Sequence, residues 1–550
     1  MDQSFFRCKK VLVIDDCAPV RATVKGMLQQ MGFEAIHVAK DAGEAMQKCI
    51  DMPFDFILCD FNLGDCKDGY QLFEALKKQQ LLAPLCCFIV ISAESQSQIV
   101  HGVIELQPDD YLLKPFTAPA LEERICRAVR HRIELRKVFF RLFEQDYAEA
   151  TRECDLVIRT KPDYALQAMR LKGELLLKLG QYDKAELFYQ KVLQQKPYSW
   201  ARLGHALSCF YLERWEDTEL ELVDLTQFGD TKVEALDWLS RLYVRHGRYQ
   251  LAFETLSKAA VLSPKNISRQ KTLSNLCVIL GHTEAATRIA GKIVQGARHS
   301  IDDTADNYLN HARALVDQAK TASVLDKAVI LQNAGKLLDA LHKRFNVDAL
   351  KRETVILRSR MSSCRGSIKE GRELMQQIQD LSLDDLTIDS CMDAAKAYFE
   401  LGDLYSSQIC IDRLKTMLYD DDFLTETQCI MLQLEQNKHE SLKQQIKQIN
   451  TEATDAYRLG QFGRAVSLFC ETFDYMPTNP VIALNLLQAM SKSAGVTGEA
   501  VNYARSAARV LRQNQLEKSE QERFEKYVAT LKKTQPGLTP FLFSAEDNVI

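Results

Sequence analysis

Several features are scarce or missing in this 550-residue sequence, and each absence argues against a class of protein. No uninterrupted apolar run approaches the roughly 18 residues of a membrane-spanning helix, so no membrane span is predicted. The first residues lack the long apolar core of a signal peptide. The 16 cysteines are scattered, and no pair of Cys-x-x-Cys motifs indicates zinc. We therefore expect a cytoplasmic protein with reduced thiols.

A strong net charge of either sign is also missing. The 70 lysines and arginines nearly balance the 74 aspartates and glutamates, which gives a formal net charge of -4. Proteins that bind nucleic acid are normally basic, so we expect no nucleic-acid partner. The chain is nevertheless too long for one core. A soft average of about 150 residues per domain predicts three or four units, unless the chain is a repeat array.

Short apolar runs alternate with helical segments over the first 130 residues. The predicted helices cover residues 19–30, 42–51, 69–80 and 95–106, and a last helix starts near Pro119. Five βα units in a row predict a doubly wound, five-stranded parallel sheet. In such folds the ligand site lies beyond the carboxyl ends of the strands. The predicted strands are Lys10–Ile14, Ala35–Ala39, Phe54–Cys59, Cys87–Ile91 and Asp110–Leu113.

Polar residues follow four of these strands. Asp15 and Asp16 close the first strand, Asp60 the third, Ser92 the fourth and Lys114 the fifth. Carboxylates that converge on one crevice repel each other unless a cation is present, and Mg²⁺ prefers oxygen ligands of this kind. A lysine and a hydroxyl facing the same crevice supply donors for a phosphoryl group. We therefore predict a magnesium-dependent phosphoryl site.

These motifs resemble the receiver domain of two-component response regulators over residues 8–132. The acidic pair precedes Asp60 by the family spacing, 44 residues after Asp16, and Ser92 stands at the hydroxyl position. Lys114-Pro115-Phe116 matches the family signature, with Tyr111 three residues before the lysine. The resemblance implies an α/β fold of the flavodoxin-like type. It also implies that Asp60 is the phosphoacceptor and becomes a 4-aspartylphosphate.

The resemblance also implies the remaining roles. Lys114 would contact the phosphoryl oxygens after a cis Lys114-Pro115 bond, Ser92 would move towards the phosphoryl group, and Tyr111 would rotate inwards as a switch. The Mg²⁺ ligands would be Asp15 (through water), Asp16, Asp60 and the carbonyl of Asn62.

The loop after the acceptor departs from the family pattern. Gly64 stands where the family has a proline, and Asp68-Gly69 come one position later than usual. The loop is thus one residue longer and lacks a rigid proline, which affects loop rigidity and kinase docking rather than the acceptor.

After Leu113 the strand signals stop, and helices repeat with a period of about 34 residues. An aromatic residue stands three positions before a recurring small residue in four copies, and a proline follows twelve positions after it in three. The small residue lets two helices approach closely, and the proline ends the second helix. The pattern resembles the tetratricopeptide repeat, which implies an all-α solenoid with a concave protein-binding groove. The small residues are Ala150, Ala185, Thr218, Ala252 and Ala286, spaced by 35, 33, 34 and 34 positions.

The repeat signature blurs between residues 300 and 450. One copy is recoverable around Ala395–Ser407, a clear copy returns at Tyr457–Ala465, and a weaker one follows near Ala500. We predict four segments: a receiver domain at 1–135, tetratricopeptide repeats at 136–297, degenerate helical repeats at 298–450, and tetratricopeptide-like repeats with a tail at 451–550.

The sequence therefore predicts a response regulator, as in bacterial proteins that join a receiver to tetratricopeptide repeats. A sensor histidine kinase or phosphotransfer protein would phosphorylate Asp60, and the repeats would bind an unknown protein. Apart from the receiver's own phosphotransfer and dephosphorylation, no enzyme is predicted. Two alternatives stay open: a phosphate sink that competes for a kinase, and an unrecognised enzymatic domain in residues 300–450.

Overall fold

The computed structural model describes residues 3–63, 69–93, 107–298, 303–346, 350–378, 385–419, 421–476, 479–493, 499–513 and 516–534. The predicted helix at 95–106, the unusual loop at 64–68 and the C-terminal tail lie outside these residues. The chain forms two compact units, residues 1–307 and 308–550. No helix within the described ranges is both long and apolar enough to cross a membrane.

The first unit begins with a five-stranded, all-parallel sheet, as predicted. Its strands are β1 (Lys10–Ile14), β2 (Ala35–Ala39), β3 (Phe56–Asp60), β4 (Cys87–Ser92) and β5 (Asp110–Leu113), and their order in the sheet is β2-β1-β3-β4-β5. The strands β1, β3 and β4 are buried along nearly their whole length, because helices pack on both faces of a doubly wound sheet. Their apolar composition follows from this burial.

The helices around the sheet agree with the prediction, with one addition. The N-terminal helix Gln3–Arg7 was not predicted. It carries Phe6, whose ring is 1% exposed and lies 4.8 Å from the ring of Phe33 in the core. The other described helices of this domain are Ala18–Gln30, Ala42–Asp51, Gly69–Lys78 and Ala118–Glu134.

The rest of the first unit is helical. Three glycines in the turns between helices, Gly180, Gly247 and Gly281, have φ between 68° and 74°, a conformation that L side chains rarely adopt. The recurring small residues at the helix crossings are all buried, and none is more than 1% exposed. The helices are Arg136–Phe143, Tyr147–Thr160, Ala165–Lys178, Tyr182–Gln195, Ser199–Tyr211, Trp215–Leu225, Lys232–Arg245, Tyr249–Leu262, Ile267–Ile279 and Thr283–Ala297, with a short 3₁₀ turn at Pro162–Tyr164.

Successive helix pairs of this region are joined by a recurring ion pair. Arg214 donates two hydrogen bonds of 2.6 and 2.7 Å to the carboxylate of Glu186. One repeat later, Arg248 holds Glu219 in the same way at 3.0 and 2.6 Å. Paired, planar contacts of this type fix geometry as well as charge. They therefore help to set how each repeat stacks on the next.

The second unit continues the helix pairs where the sequence signature is weakest. Ser359 donates a 2.9 Å hydrogen bond to the carbonyl of Gly371, as Ser240 does to Ala252 at 2.8 Å in the first unit. Both pairs are twelve residues apart, so Gly371 stands at the small-residue position of a copy that the sequence analysis missed. The helices are Ala305–Thr321, which begins in the first unit, Val324–Arg344, Lys351–Cys364, Ile368–Gln376, Ile388–Glu400, Leu404–Met417, Phe423–Arg458, Phe462–Tyr475, Pro480–Lys492, Glu499–Gln513 and Lys518–Thr534.

A buried ionic network holds the middle of this unit together. The side chain of Arg360 is fully buried and lies 2.5 Å from carboxylate oxygens of both Asp317 and Asp393. Positive and negative groups alternate here, which is the arrangement needed for buried charges to be tolerated. The helix Phe423–Arg458 runs through residue 450, and the four-segment division remains a prediction.

Candidate functional site

The candidate site lies at the carboxyl edge of the sheet, where β1 and β3 end next to each other. Asp15 follows β1 and is 3% exposed, and Asp60 ends β3 and is 8% exposed. The ammonium group of Lys114, which follows β5, lies 2.8 Å from a carboxylate oxygen of each. The prediction that these three groups converge is therefore met in the structure.

Local backbone contacts fix the position of Asp60. Asp60 pairs in register with Ile91 of β4, and the N–H of Phe61 donates to the carbonyl of Ile91 at 2.8 Å. The next helix starts directly against the strand, since Gly69 donates its N–H to the carbonyl of Phe61 at 2.8 Å. A Cβ atom on Gly69 would lie 2.3 Å from the carbonyl oxygen of Asp60. Only glycine fits there, so the acceptor backbone has no free space on this side.

Opposing electrostatic effects act on the pKa of the Asp60 carboxyl group. Burial raises the pKa of Asp60 and the charge of Asp15 adds to this, while the hydrogen bond and charge of Lys114 act against it; the net pKa is raised. Burial alone would lower the pKa of Lys114, but its hydrogen bonds to Asp15 and Asp60 outweigh this and raise it. The ammonium thus stays charged and compensates two carboxylates.

The other predicted residues surround this core of the site. Asp16 is exposed at the rim, and Asn62 is exposed two residues after the acceptor. Ser92 ends β4, is 1% exposed, and its carbonyl accepts the N–H of Lys114 at 2.8 Å. Tyr111 is partly buried in β5, opposite Val90. The Lys114-Pro115 bond is cis, as predicted.

The acidic residues have the chemistry of a hard-cation site. Asp15, Asp16 and Asp60 each offer a carboxylate oxygen, and these atoms lie within 4.8 Å of one another. Oxygen-only ligands at this spacing fit Mg²⁺ better than a softer metal.

A second group of possible ligands lies in the repeats, at Glu186, His205 and Cys209. Arg214 already engages both oxygens of Glu186, and the equivalent pair recurs one repeat later. We therefore assign this group to repeat packing.

The face that carries β5 borders the first repeats. Asp109 accepts two hydrogen bonds from Arg132, at 2.6 and 3.0 Å, and the guanidinium of Arg132 lies 4.2 Å from the ring centroid of Phe139. Between this face and the helix Ala165–Lys178 lies a cleft of about 570 Å³, lined in part by Tyr111 and Glu174. The predicted switch residue therefore faces the repeats.

Two features of the site were missed from the sequence. The Asp68-Gly69 pair was noted only as a shifted motif, although the close approach of Gly69 to Asp60 explains why glycine is needed. The contact of Lys265, whose ammonium lies 4.3 Å from the ring centroid of Phe61, had no sequence signal at all. It joins residues 204 positions apart, and only the tertiary fold brings them together.

Comparisons with known proteins agree with the predicted kinds of domain. The family model described as "Response regulator receiver domain" matches residues 11–126, and the one described as "Tetratricopeptide repeat" matches residues 166–199. The chemotaxis protein CheY of Pseudomonas aeruginosa is 29% identical over 116 residues, which are 21% of this chain and 92% of that protein. The chemotaxis protein CheY-3 of Vibrio cholerae is 28% identical over 116 residues, which are 88% of its length.

Among solved structures, chemotaxis protein CheY4 of Vibrio cholerae is 25% identical, with 22% of this chain and 98% of that chain covered and a TM-score of 0.21.

The N-terminal region of this chain is a receiver domain of the two-component response-regulator family. The chain joins this domain to tetratricopeptide repeats.

Proposed function

We propose that phosphorylation of Asp60 controls the binding of a protein partner by the repeats. The phosphoryl donor is a sensor histidine kinase or a phosphotransfer protein. The observation that supports this proposal is the pairing of Lys114 with Asp15 and Asp60, because two carboxylates and a cation then share one crevice. That set serves phosphoryl transfer by positioning and charge compensation.

The chemistry needs the side chains of this crevice, the phosphoryl donor and a divalent cation. A carboxylate oxygen of Asp60 attacks the phosphorus of a phosphohistidine, the P–N bond breaks, and the imidazole leaves and takes up a proton. The product is an acyl phosphate on Asp60. Lys114 and Ser92 donate to the phosphoryl oxygens, which carry the charge that the reaction redistributes.

Four groups are suited to hold Mg²⁺: the carboxylates of Asp15, Asp16 and Asp60 and the carbonyl of Asn62. When bound, the ion neutralises charge on the phosphoryl oxygens. Asp16 is the exposed member of the set, whereas Asp15 and Asp60 are nearly buried.

Phosphorylation can control partner binding only if a structural change at Asp60 reaches the repeats. Tyr111 lies on the strand next to Ser92 and lines the cleft against the first repeats. We infer that a change of Tyr111 on phosphorylation alters this cleft and biases partner affinity, as a two-state switch does. The four predicted segments, 1–135, 136–297, 298–450 and 451–550, are part of this proposal.

The experiment that tests this function compares partner binding in two states. Proteins captured by the wild type and by Asp60→Asn are identified, and the affinity of the purified partner is measured with and without phosphorylation. We expect the two states of the wild type to differ by about 1–3 kcal/mol, the usual size of such couplings, and Asp60→Asn to show one affinity. Equal affinities in both states, together with competition for the kinase, would favour the phosphate sink instead.

A further inference from the structure

Two of the described contacts between the receiver domain and the repeats lie far apart in the chain. The first is next to the covalent junction, where Lys161 lies 2.7 Å from the carboxylate of Glu134. The second joins the receiver to the last helix pair of the first unit, Ile267–Ile279 and Thr283–Ala297. There the amide of Gln71 donates to the carbonyl of Gly296 at 2.9 Å, across 225 chain positions. The receiver therefore bridges the two ends of this repeat stack.

Lys265 strengthens the second contact from the turn before the helix pair. Its ammonium lies 4.3 Å from the ring centroid of Phe61, which is 1% exposed. Cation–π contacts and single hydrogen bonds are individually weak, so these two contacts can break and re-form reversibly. We define the docking surface as Lys265 and Gly296, with Phe61 and Gln71 as its receiver side.

The receiver side of this surface lies close to the phosphoacceptor in the chain. Phe61 is the residue after Asp60, and Gln71 lies in the first turn of the helix that starts against Asp60. The carbonyl of Asp60 and the start of this helix are in close contact, so one cannot move without displacing the other. A displacement of the Asp60 backbone is thus passed to both receiver residues of the surface.

We propose that the docking surface is a cis-acting brake: it holds the unphosphorylated receiver on the last helix pair of the first unit, and phosphorylation of Asp60 loosens it. The inference rests on the proposed function and adds a second route to the repeats, separate from the cleft beside Tyr111. A phosphoryl group on Asp60 would bind the ammonium of Lys114, which in the unphosphorylated protein pairs with both Asp60 and Asp15. We expect the junction of β3 with the following helix to shift when this pairing is lost.

Hydrogen exchange of the full-length protein, read by mass spectrometry, tests the proposal. Beryllium fluoride with Mg²⁺ serves as a stable mimic of the aspartyl phosphate. We expect receiver peptides over β4 and β5 to change, and peptides covering 262–270 and 290–298 to exchange at least threefold faster. Lys265→Ala should give the same faster exchange at 290–298 and over residues 69–78 without the mimic.

Lys258→Ala is the matched control, because Lys258 is an exposed lysine on the preceding helix. It should leave both segments unchanged. If β4 and β5 respond to the mimic while 262–270 and 290–298 do not, or exchange more slowly, the inference is overturned and the proposed function stands. If no receiver peptide responds, the proposed function itself fails. If Lys265→Ala behaves like Lys258→Ala, the docking surface does not hold the receiver.

Discussion

Replacing Lys114 by methionine removes the cation that holds two buried carboxylates together. The side chains of Asp15 and Asp60 are 5% and 10% exposed, and each lies 2.8 Å from the ammonium. Stranding a buried charge costs about 3–5 kcal/mol when the site is dry. The Lys114 side chain is 21% exposed, so water reaches the crevice and we expect about 2–3 kcal/mol. Methionine keeps most of the aliphatic volume, so the effect reports the charge.

Hydrogen exchange of β3 and β4 measures this loss for the receiver within the full chain. A factor of ten corresponds to about 1.4 kcal/mol, so these amides should exchange roughly 30 to 150 times faster in the variant without divalent ions. Mg²⁺ should protect Lys114→Met more than the wild type, because the ion replaces the lost positive charge. Lys25→Met, at an exposed helical position, is the control. Equal effects of the two substitutions, or no extra protection by Mg²⁺, would refute the reasoning.

Three further predictions concern the metal, the repeats and pH. Asp16→Ala should weaken Mg²⁺ binding far more than Ser92→Ala, since only the first removes a metal ligand; calorimetric titration decides this, and equal losses would contradict the assignment. Gly204→Ala should cost about 1–3 kcal/mol in urea unfolding, because its Cβ would lie 2.1 Å from Cζ of Tyr189. Burial would raise the pKa of Glu435, but the hydrogen bond from the histidine one turn later and nearby lysines outweigh it and lower the pKa to about 2. Its ionised form therefore stabilises the second unit above the ordinary carboxyl pKa, and this stability should be lost as the pH falls from about 4 towards 2, which exchange of that unit at several pH values measures.

Gly463→Ala is the control for the repeat prediction. A Cβ atom there meets nothing within 4 Å, so the change should be neutral or slightly stabilising in a helix. If Gly204→Ala is as harmless as this control, the close approach of Tyr189 does not limit the helix crossing.

The site could be predicted because its residues follow strands that share one edge of a parallel sheet. Each apolar run marks a strand, and the residue that follows it lies at the carboxyl edge of the sheet. Local patterns were therefore enough to predict that Asp15, Asp60 and Lys114 lie together. The N-terminal helix Gln3–Arg7 could not be predicted, because five residues give no helical period and its formation depends on burying Phe6.

The missed features depend on tertiary contacts. Gly371 stands at the small-residue position of its repeat, and its role becomes visible only through the hydrogen bond from Ser359 on the facing helix. The contact between Gln71 and Gly296 depends on how several repeats stack, and no sequence pattern encodes the sum of their small rotations. In the sequence, the residues of the buried network around Arg360 look like ordinary charges on helix surfaces. Only the positions of the neighbouring helices show that they are buried.

Phosphoryl incorporation at Asp60 tests the central claim most directly. The full-length protein is incubated with Mg²⁺ and acetyl phosphate, and the modified residue is located by peptide mass spectrometry at low pH. The account predicts one acid-stable, base-labile phosphoryl group on Asp60, absent in Asp60→Asn because an amide is not a nucleophile, and retained in Asp51→Asn at an exposed helix end. Label that persists in Asp60→Asn at the same level would contradict it.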